Sequence, residues 1–249
     1  MEASDAGAFR NTQRAVLLGC AGAVTLAAWL WLAAGSQIAF MPAHRHHQLD
    51  FRAFASLVLM WQAMMVAMMT PSSLQWILTF AALAGRSGGA RRGFGSAGDF
   101  AAGYFVVWLG YSILAATLQT GIEHAGFLER NGRLPAPAGG AVLMAAGLLY
   151  FTPFHRACLS HCRNPLTYFL ARWNNGPRRG FVFGLTHGAY CVGCCWALMI
   201  TGFAVGVMNI LWMVFLTLLV CLEKLAPHGD RIGAVAAAAI AIWGFVLLF

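Results

Sequence analysis

The sequence predicts an all-α protein, a polytopic bundle of about seven transmembrane helices with a range of six to eight. Hydrophobic residues make up 60% of the 249 residues and charged residues 10%, against about a quarter charged in soluble proteins. The mean hydropathy is +0.69. We therefore expect a single transmembrane domain over residues 1–249 that crosses the lipid bilayer several times.

Seven apolar segments follow one another along the chain, at 15–35, 52–84, 97–121, 139–154, 180–203, 205–224 and 231–249. The second is longer than one straight span needs. It contains Pro71, which lacks a backbone donor, so we expect a kink or a division into a span and an interfacial piece. Only the stretch 206–209 separates the fifth and sixth segments, which predicts a helical hairpin.

The distribution of basic residues predicts the orientation. Cytoplasmic loops carry an excess of Lys and Arg, and seven spans place the two termini on opposite sides. With the N-terminus inside, four basic residues fall outside, namely Arg45, Arg52, Arg130 and Arg133. Twelve fall on the cytoplasmic side: Arg10, Arg14, Arg86, Arg91, Arg92, Arg156, Arg163, Arg172, Arg178, Arg179, Lys224 and Arg231. The asymmetry favours N-in, C-out, with an external loop at 36–51 and a cytoplasmic Cys/His loop at 155–179.

The seven cysteines fall within the predicted spans or on the cytoplasmic side. Disulfides persist mainly in oxidising compartments, so we expect free thiols. Free thiols serve as packing residues, redox residues or metal ligands.

The fifth span contains HGAYCVGCC at 187–195. On a helix, His187, Cys191, Cys194 and Cys195 share one face, because neighbours on a face are three or four positions apart. Cysteines in an apolar helix are more often small core residues than ligands. An imidazole at membrane depth, however, needs a partner or a function, and His187 raises the case for metal binding.

A methionine cluster lies in the second span. Met60, Met64 and Met68 repeat every four residues, and Met65 and Met69 form the neighbouring row. Such a stripe standing alone is usually adaptable core packing. The second and fifth spans run in opposite directions, so the thioethers and the thiols fall at similar depths. We expect a seam of Met, Cys and His side chains between these two spans.

The sulfur donors of this seam select the metal. Thiolates and thioethers favour Cu(I), whereas zinc accepts Cys and His but gains little from methionine. Copper(I) is therefore the expected ion, with zinc as the alternative. A bound cation would also compensate thiolates that are costly to bury.

Two further groups lie where a metal path would need them. His44, His46 and His47 in the external loop form a candidate capture site, although a solvated polar loop explains them equally well. On the other side, Cys158, His161 and Cys162 would share a face if their segment is helical. The alternative is that His161 and Arg163 end the loop before Asn164 and Pro165.

Two charges lie at the inner end of the sixth span, Glu223 and Lys224. Glu223 is a candidate proton relay, because ionisable groups within membranes often serve in relays. The alternative is a charge at the membrane interface that pairs with a basic residue. We interpret Lys224 as a topogenic charge whose ammonium reaches the lipid headgroups.

Five segments together resemble a bacterial family known as predicted metal-binding integral membrane proteins, a domain of unknown function whose members are sometimes called copper chaperones. They are AMMTPS at 67–72, CLSHCRNPL at 158–166, HGAYCVGCCWALM at 187–199, GVMNILWM at 206–213 and LEKL at 222–225. The resemblance implies an all-helical, multi-pass protein of the bacterial inner membrane with a copper-type role, and it supplies no reaction. The first span and the histidine-containing loop lie outside the resembling pattern.

Two function classes remain open. One is a copper(I)-handling protein for transport or delivery, with a metal-donor or acceptor protein or a larger membrane complex as partner. The other is a subunit of a redox or thiol-transfer system, or of a membrane-enzyme assembly, in which the cysteines are redox or structural residues. A scaffold with a structural metal is a weaker third class. The chain has no phosphate-binding loop, no hydrolytic arrangement and no basic stripe for nucleic acid. We leave its status as an enzyme open and favour a non-enzymatic role.

Overall fold

The computed structural model describes residues 2–39, 51–129, 132–173 and 179–249. Across these residues the backbone forms helices and no strand, which confirms the all-α class. The helices are α1 (Glu2–Ala39), α2 (Phe51–His124), α3 (Ala136–Tyr150), α4 (Pro153–Arg163), α5 (Pro165–Arg172), α6 (Arg179–Ile200), α7 (Gly202–Val205), α8 (Ile210–Leu225) and α9 (Gly229–Leu248).

Helix α2 folds back on itself. Trp61 Nε1 donates to Gln119 Oε1 over 2.9 Å, although a straight helix would hold residues 58 apart at about 87 Å from each other. The two apolar arms, Phe51–Gly85 and Gly95–His124, therefore lie side by side and antiparallel. They correspond to the second and third predicted spans.

Pro71 does not divide the first arm of α2. The helix continues over 35 residues from Phe51 to Gly85, so of the two expected outcomes, a kink or a division into a span and an interfacial piece, the division does not occur. Hydroxyl groups beside the proline donate back to the backbone, from Thr70 to the Val66 carbonyl over 2.6 Å and from Ser73 to the Thr70 carbonyl over 3.0 Å. Such side-chain donors stabilise a helix around a proline within an apolar environment.

Five helical segments of the described chain are long and apolar enough to cross a membrane, which is consistent with a multi-pass membrane protein. They are Asn11–Gly35, Phe51–Gly85, Gly95–His124, Arg179–Val205 and Gly229–Leu248. Helices α3 and α4 become a sixth if the pair, bent by 64°, counts as one span. Helix α8 has 16 residues, or about 24 Å, against a hydrocarbon core of about 30 Å. The count of seven and the N-in orientation stay predictions.

Helix α6 packs against both arms of α2, and against α4 and α8. A glycine at every fourth position, Gly180, Gly184 and Gly188, faces the second arm of α2, where a Cβ on Gly184 would collide with the Phe100 carbonyl oxygen. Small residues at this spacing allow two helix backbones to approach closely. The middle of α6 is thereby held within a ring of neighbouring helices.

The predicted hairpin at 206–209 is confirmed. Gly206 has φ of +119°, a conformation that favours glycine, and Asn209 Oδ1 accepts from the Trp212 N–H over 3.1 Å at the start of α8. Trp212 Nε1 also donates to Thr201 Oγ1 over 3.0 Å. Helix α8 therefore returns antiparallel along α6.

Candidate metal centre

Four cysteine thiols meet where α4 crosses the middle of α6. Cys194 Sγ lies 3.4 Å from Cys195 Sγ on α6 and 3.8 Å from Cys162 Sγ on α4. Cys191 lies one turn earlier on α6, and its backbone carbonyl oxygen accepts from Cys194 Sγ over 3.2 Å. We call Cys162, Cys191, Cys194 and Cys195 the thiol centre. Each is at most 3% exposed, and all seven cysteines of the chain are free, which confirms the prediction of free thiols.

The bend between α3 and α4 brings Cys162 to this centre. Thr152 caps the N-terminus of α4, because its hydroxyl oxygen accepts from the His155 N–H. From there α4 packs against α6. At the end of α4, Trp76 Nε1 and Gln75 Nε2 donate to the Cys162 carbonyl oxygen over 2.7 and 3.2 Å. The last carbonyls of a helix lack partners within it, so these two side chains of α2 fix the end of α4.

A buried ammonium completes the thiol centre. Lys224 is 3% exposed, and its Nζ donates to Cys191 Sγ over 3.0 Å. The interpretation of Lys224 as a topogenic charge that reaches the lipid headgroups is therefore wrong. Helix α8 runs antiparallel to α6 and ends at the level of Cys191, which directs this side chain inward. Tyr104 OH, on the second arm of α2, also contacts Cys191 Sγ at 3.1 Å.

The two candidate histidines near the centre lie among aromatic rings. His187 is 1% exposed and stacks on Trp76 at 4.1 Å between ring centroids. His161 stacks on Tyr190 at 3.8 Å and lies 6.2 Å from His187. His187 Nδ1 and His161 Nε2 are buried without a hydrogen-bond partner in the described residues. Their contacts make both rings part of an aromatic wall beside the thiols.

The candidate methionines belong to the same core as the thiols. Met64, Met65, Met68 and Met69 are at most 4% exposed, and Met60 packs partly buried against them. The first arm of α2 is antiparallel to α6, because Trp61 packs on Phe203 while Trp76 packs on His187. The four buried methionines thus lie on the part of α2 between Trp61 and Trp76, and Met60 lies just before it. Their role as ligands stays a prediction.

Helix α4 presents its three predicted ligands to different neighbours. Cys162 joins the thiol centre, His161 lies between Trp76 and Tyr190, and the Cys158 thiol packs where a Cβ on Gly193 would approach to 2.7 Å. The segment expected as a loop at 155–179 is helical over α4 and α5, with 174–178 outside the described residues. The external histidines His44, His46 and His47 also lie outside the described residues.

Sequence reasoning missed a second buried polar pair beside the centre. His155 Nε2 lies 3.7 Å from Glu223 Oε1, with side chains 8% and 1% exposed. The ring of Tyr150 packs on His155 at 4.2 Å. No motif or spacing in the sequence indicates a role for His155. Glu223 is a candidate proton relay from the sequence, and this role stays a prediction.

Within the described part of the chain, no group of three or more His, Cys, Asp or Glu side chains is placed to hold a metal ion as it stands. The donor chemistry nevertheless fits a soft ion. Two ligands about 2.3 Å from a tetrahedral metal are about 3.8 Å apart, which is close to the separation of Cys162 and Cys194. The thiols of Cys162 and Cys194 are therefore separated by a distance that a single metal ion could bridge.

Fold and centre together define a multi-helical protein, consistent with a multi-pass membrane protein, that encloses a cluster of free thiols. The family described as PpoB2, copper chaperone, matches residues 58–247. The chain belongs to this copper chaperone family, which confirms the resemblance that the five sequence segments carry. The matched range leaves out the first span and the external histidines. No curated protein and no solved structure matches the chain.

Proposed function

We propose that the protein is a membrane-embedded copper(I)-handling protein that transports the ion or delivers it to a partner. One observation carries this proposal: the thiols of Cys162 and Cys194, from two different helices, lie 3.8 Å apart in a buried core. Membership of the copper chaperone family supports copper as the cargo. Thiolate donors favour the monovalent ion over harder metals, and zinc is the second candidate metal.

The charge of the centre also suits a monovalent ion. Two thiolates around Cu(I) carry a net charge of minus one, and the Lys224 ammonium beside Cys191 offsets it. A neutral group of buried charges costs far less desolvation than an isolated anion. Lys224 is therefore the counter-ion of the loaded centre.

The other candidate ligands surround this centre. We assign the thioethers Met64, Met65, Met68 and Met69, with Met60, to a soft path along the first arm of α2. Cys158, His161 and His187 are secondary ligands beside the thiols, and His44, His46 and His47 capture the ion outside. In this proposal the protein lies in the bacterial inner membrane and exchanges copper with a donor or acceptor protein or a larger membrane complex.

A thiol-transfer function is the second candidate, because the same contacts favour disulfide formation. Cys194 Sγ lies 3.8 Å from Cys162 Sγ on a different helix, and neighbouring thiols can cycle as well as ligate. In this case the protein is an integral subunit of a redox or membrane-enzyme assembly. The methionines then serve only for packing.

Metal analysis of the detergent-purified protein under anaerobic conditions tests the copper proposal. We expect bound Cu(I) in the wild-type protein and its loss when Cys191, Cys194 and Cys195 are all replaced by Ser. Cys20→Ser is the matched control, because Cys20 is an exposed free thiol, and it should retain the metal. A metal-free wild-type protein with a reversible disulfide within the thiol centre would contradict copper handling and support thiol transfer.

A further inference from the structure

A small cavity lies at the bend between α3 and α4. Its volume is about 30 Å³, and its lining includes His155 of α4 and Cys194 of the thiol centre. The exposed side chains of Leu149 and Phe154 also line it, so the cavity connects the surface of the bundle with a thiol. A space above roughly 10–15 Å³ holds a water-sized particle, and this one therefore admits a single ion.

Two buried polar side chains lie close together beside this cavity but form no hydrogen bond with each other. His155 Nε2 and Glu223 Oε1 are 3.7 Å apart, which is too long for a hydrogen bond. Both ring nitrogens of His155 and the Oε1 atom of Glu223 are buried without a hydrogen-bond partner in the described residues. Buried polar atoms normally have partners, so this arrangement points to a ligand that is bound between or beside them.

The chemistry of the pair suits a cation. An imidazole nitrogen is a common ligand of copper, and a carboxylate in a low-dielectric interior attracts positive charge strongly. A separation of 3.7 Å allows one ion to contact both atoms, since metal–nitrogen and metal–oxygen distances are about 2.0–2.2 Å. The pair supplies two donors, fewer than the three or four of a resident metal site, which suits an ion in passage.

The two neighbouring charged residues at the end of α8 contact different groups. Lys224 points to Cys191 of the thiol centre, whereas Glu223 points to His155. Gly233 of α9 leaves the room that the carboxylate needs, because a Cβ there would lie 2.9 Å from Glu223 Oε1 and would collide with Tyr150 OH. The end of α8 thus presents a positive charge to the thiols and a negative charge to His155, which lines the cavity.

We propose that His155 and Glu223 form a relay site through which Cu(I) passes between the cavity at the α3–α4 bend and Cys194. His155 supplies a ligand nitrogen, and Glu223 compensates the charge of the ion until the thiolates take it up. This inference rests on the proposed copper function and adds a route to it. A relay changes the rates of loading and release by the same factor and leaves the equilibrium affinity unchanged.

Stopped-flow transfer of Cu(I) from a chromophoric chelator to the detergent-purified full-length protein tests the relay. In His155→Gln and Glu223→Gln we expect loading and chelator-driven release to slow by about tenfold, the scale on which metal sites respond to loss of one supporting group. Equilibrium Cu(I) content and affinity should equal those of the wild type. His228→Gln makes the same change at an exposed histidine in the connection between α8 and α9 and should load at the wild-type rate.

The possible outcomes separate the relay from the copper function. Wild-type rates in both relay variants would overturn the relay and leave the copper function intact. A lowered equilibrium affinity would also overturn it, because the pair would then belong to the storage site. Wild-type protein that takes up no Cu(I) would contradict the copper function itself. Should His155→Gln fail to purify as a monodisperse protein, Glu223→Gln decides, because it keeps the size and shape of the side chain.

Discussion

Lys224 Nζ donates to Cys191 Sγ over 3.0 Å, although the two residues are 33 positions apart and almost fully buried. An ammonium in such a core is costly unless an opposite charge or a strong acceptor lies beside it. The contact therefore fixes the end of α8 against the middle of α6. It also gives the thiol centre a permanent positive neighbour.

Replacement of Lys224 by Met should weaken Cu(I) binding about tenfold or more, because loss of a buried charge partner costs several kcal/mol and each 1.4 kcal/mol is about tenfold. Competition with a Cu(I) chelator measures the affinity. Arg231→Met, the same loss of charge at an exposed position on α9, should leave it unchanged. An affinity of Lys224→Met within twofold of the wild type would refute the counter-ion role.

Cys162→Ser should lower the Cu(I) affinity about tenfold, the scale seen for loss of a supporting metal ligand. Its thiol is the contribution of α4 to the thiol centre, 3.8 Å from Cys194 Sγ. Cys221→Ser serves as the control, since Cys221 lies partly exposed on α8. Equal affinities of the two variants, measured by chelator competition, would show that α6 binds copper without α4.

Trp76 and Gln75 should act together on stability, because both donate to the Cys162 carbonyl oxygen. Trp76→Phe should lower the free energy of unfolding by about 0.5–1.5 kcal/mol, the net contribution of one hydrogen bond, because Gln75 still donates to the carbonyl oxygen. The double variant with Gln75→Ala should lose more than the sum of the single changes, because the carbonyl is then left unpaired. Denaturant unfolding in detergent measures the free energy of unfolding of the wild type, the two single variants and the double variant. If the losses of the single variants simply add up to that of the double variant, the two side chains do not share an acceptor.

Gly184→Ala should destabilise the protein by about 1–3 kcal/mol or more, as overpacking of a tight interface does. The added methyl group would collide with the Phe100 carbonyl oxygen and force α6 away from the second arm of α2. Gly110→Ala is the control. Gly110 lies on the second arm of α2, the arm that faces Gly184, and no atom lies within 4 Å of a Cβ at that position. A melting temperature of Gly184→Ala equal to that of Gly110→Ala would contradict the close packing.

Several features of the fold follow from local sequence. Long apolar segments predict helices, and each of the seven predicted segments contains one, although only five of these helices are long and apolar enough to cross a membrane by themselves. The i, i+3, i+4 spacing predicts that Cys191, Cys194 and Cys195 share a face of α6, and all three are buried there. Pro71 shows the limit of local rules, since the first arm of α2 continues as a helix through a proline that removes one of its backbone donors.

The sequence by itself determined that this protein is all-helical, rich in membrane-length helices and supplied with free soft donors, because hydropathy and helical spacing are properties of short segments. Only the tertiary structure decided which donors meet. The 64° bend after α3 brings Cys162 to α6, the short α8 turns Lys224 inward, and aromatic stacking draws His187 toward Trp76. Such contacts join residues far apart in the chain, and they depend on how whole helices dock against one another.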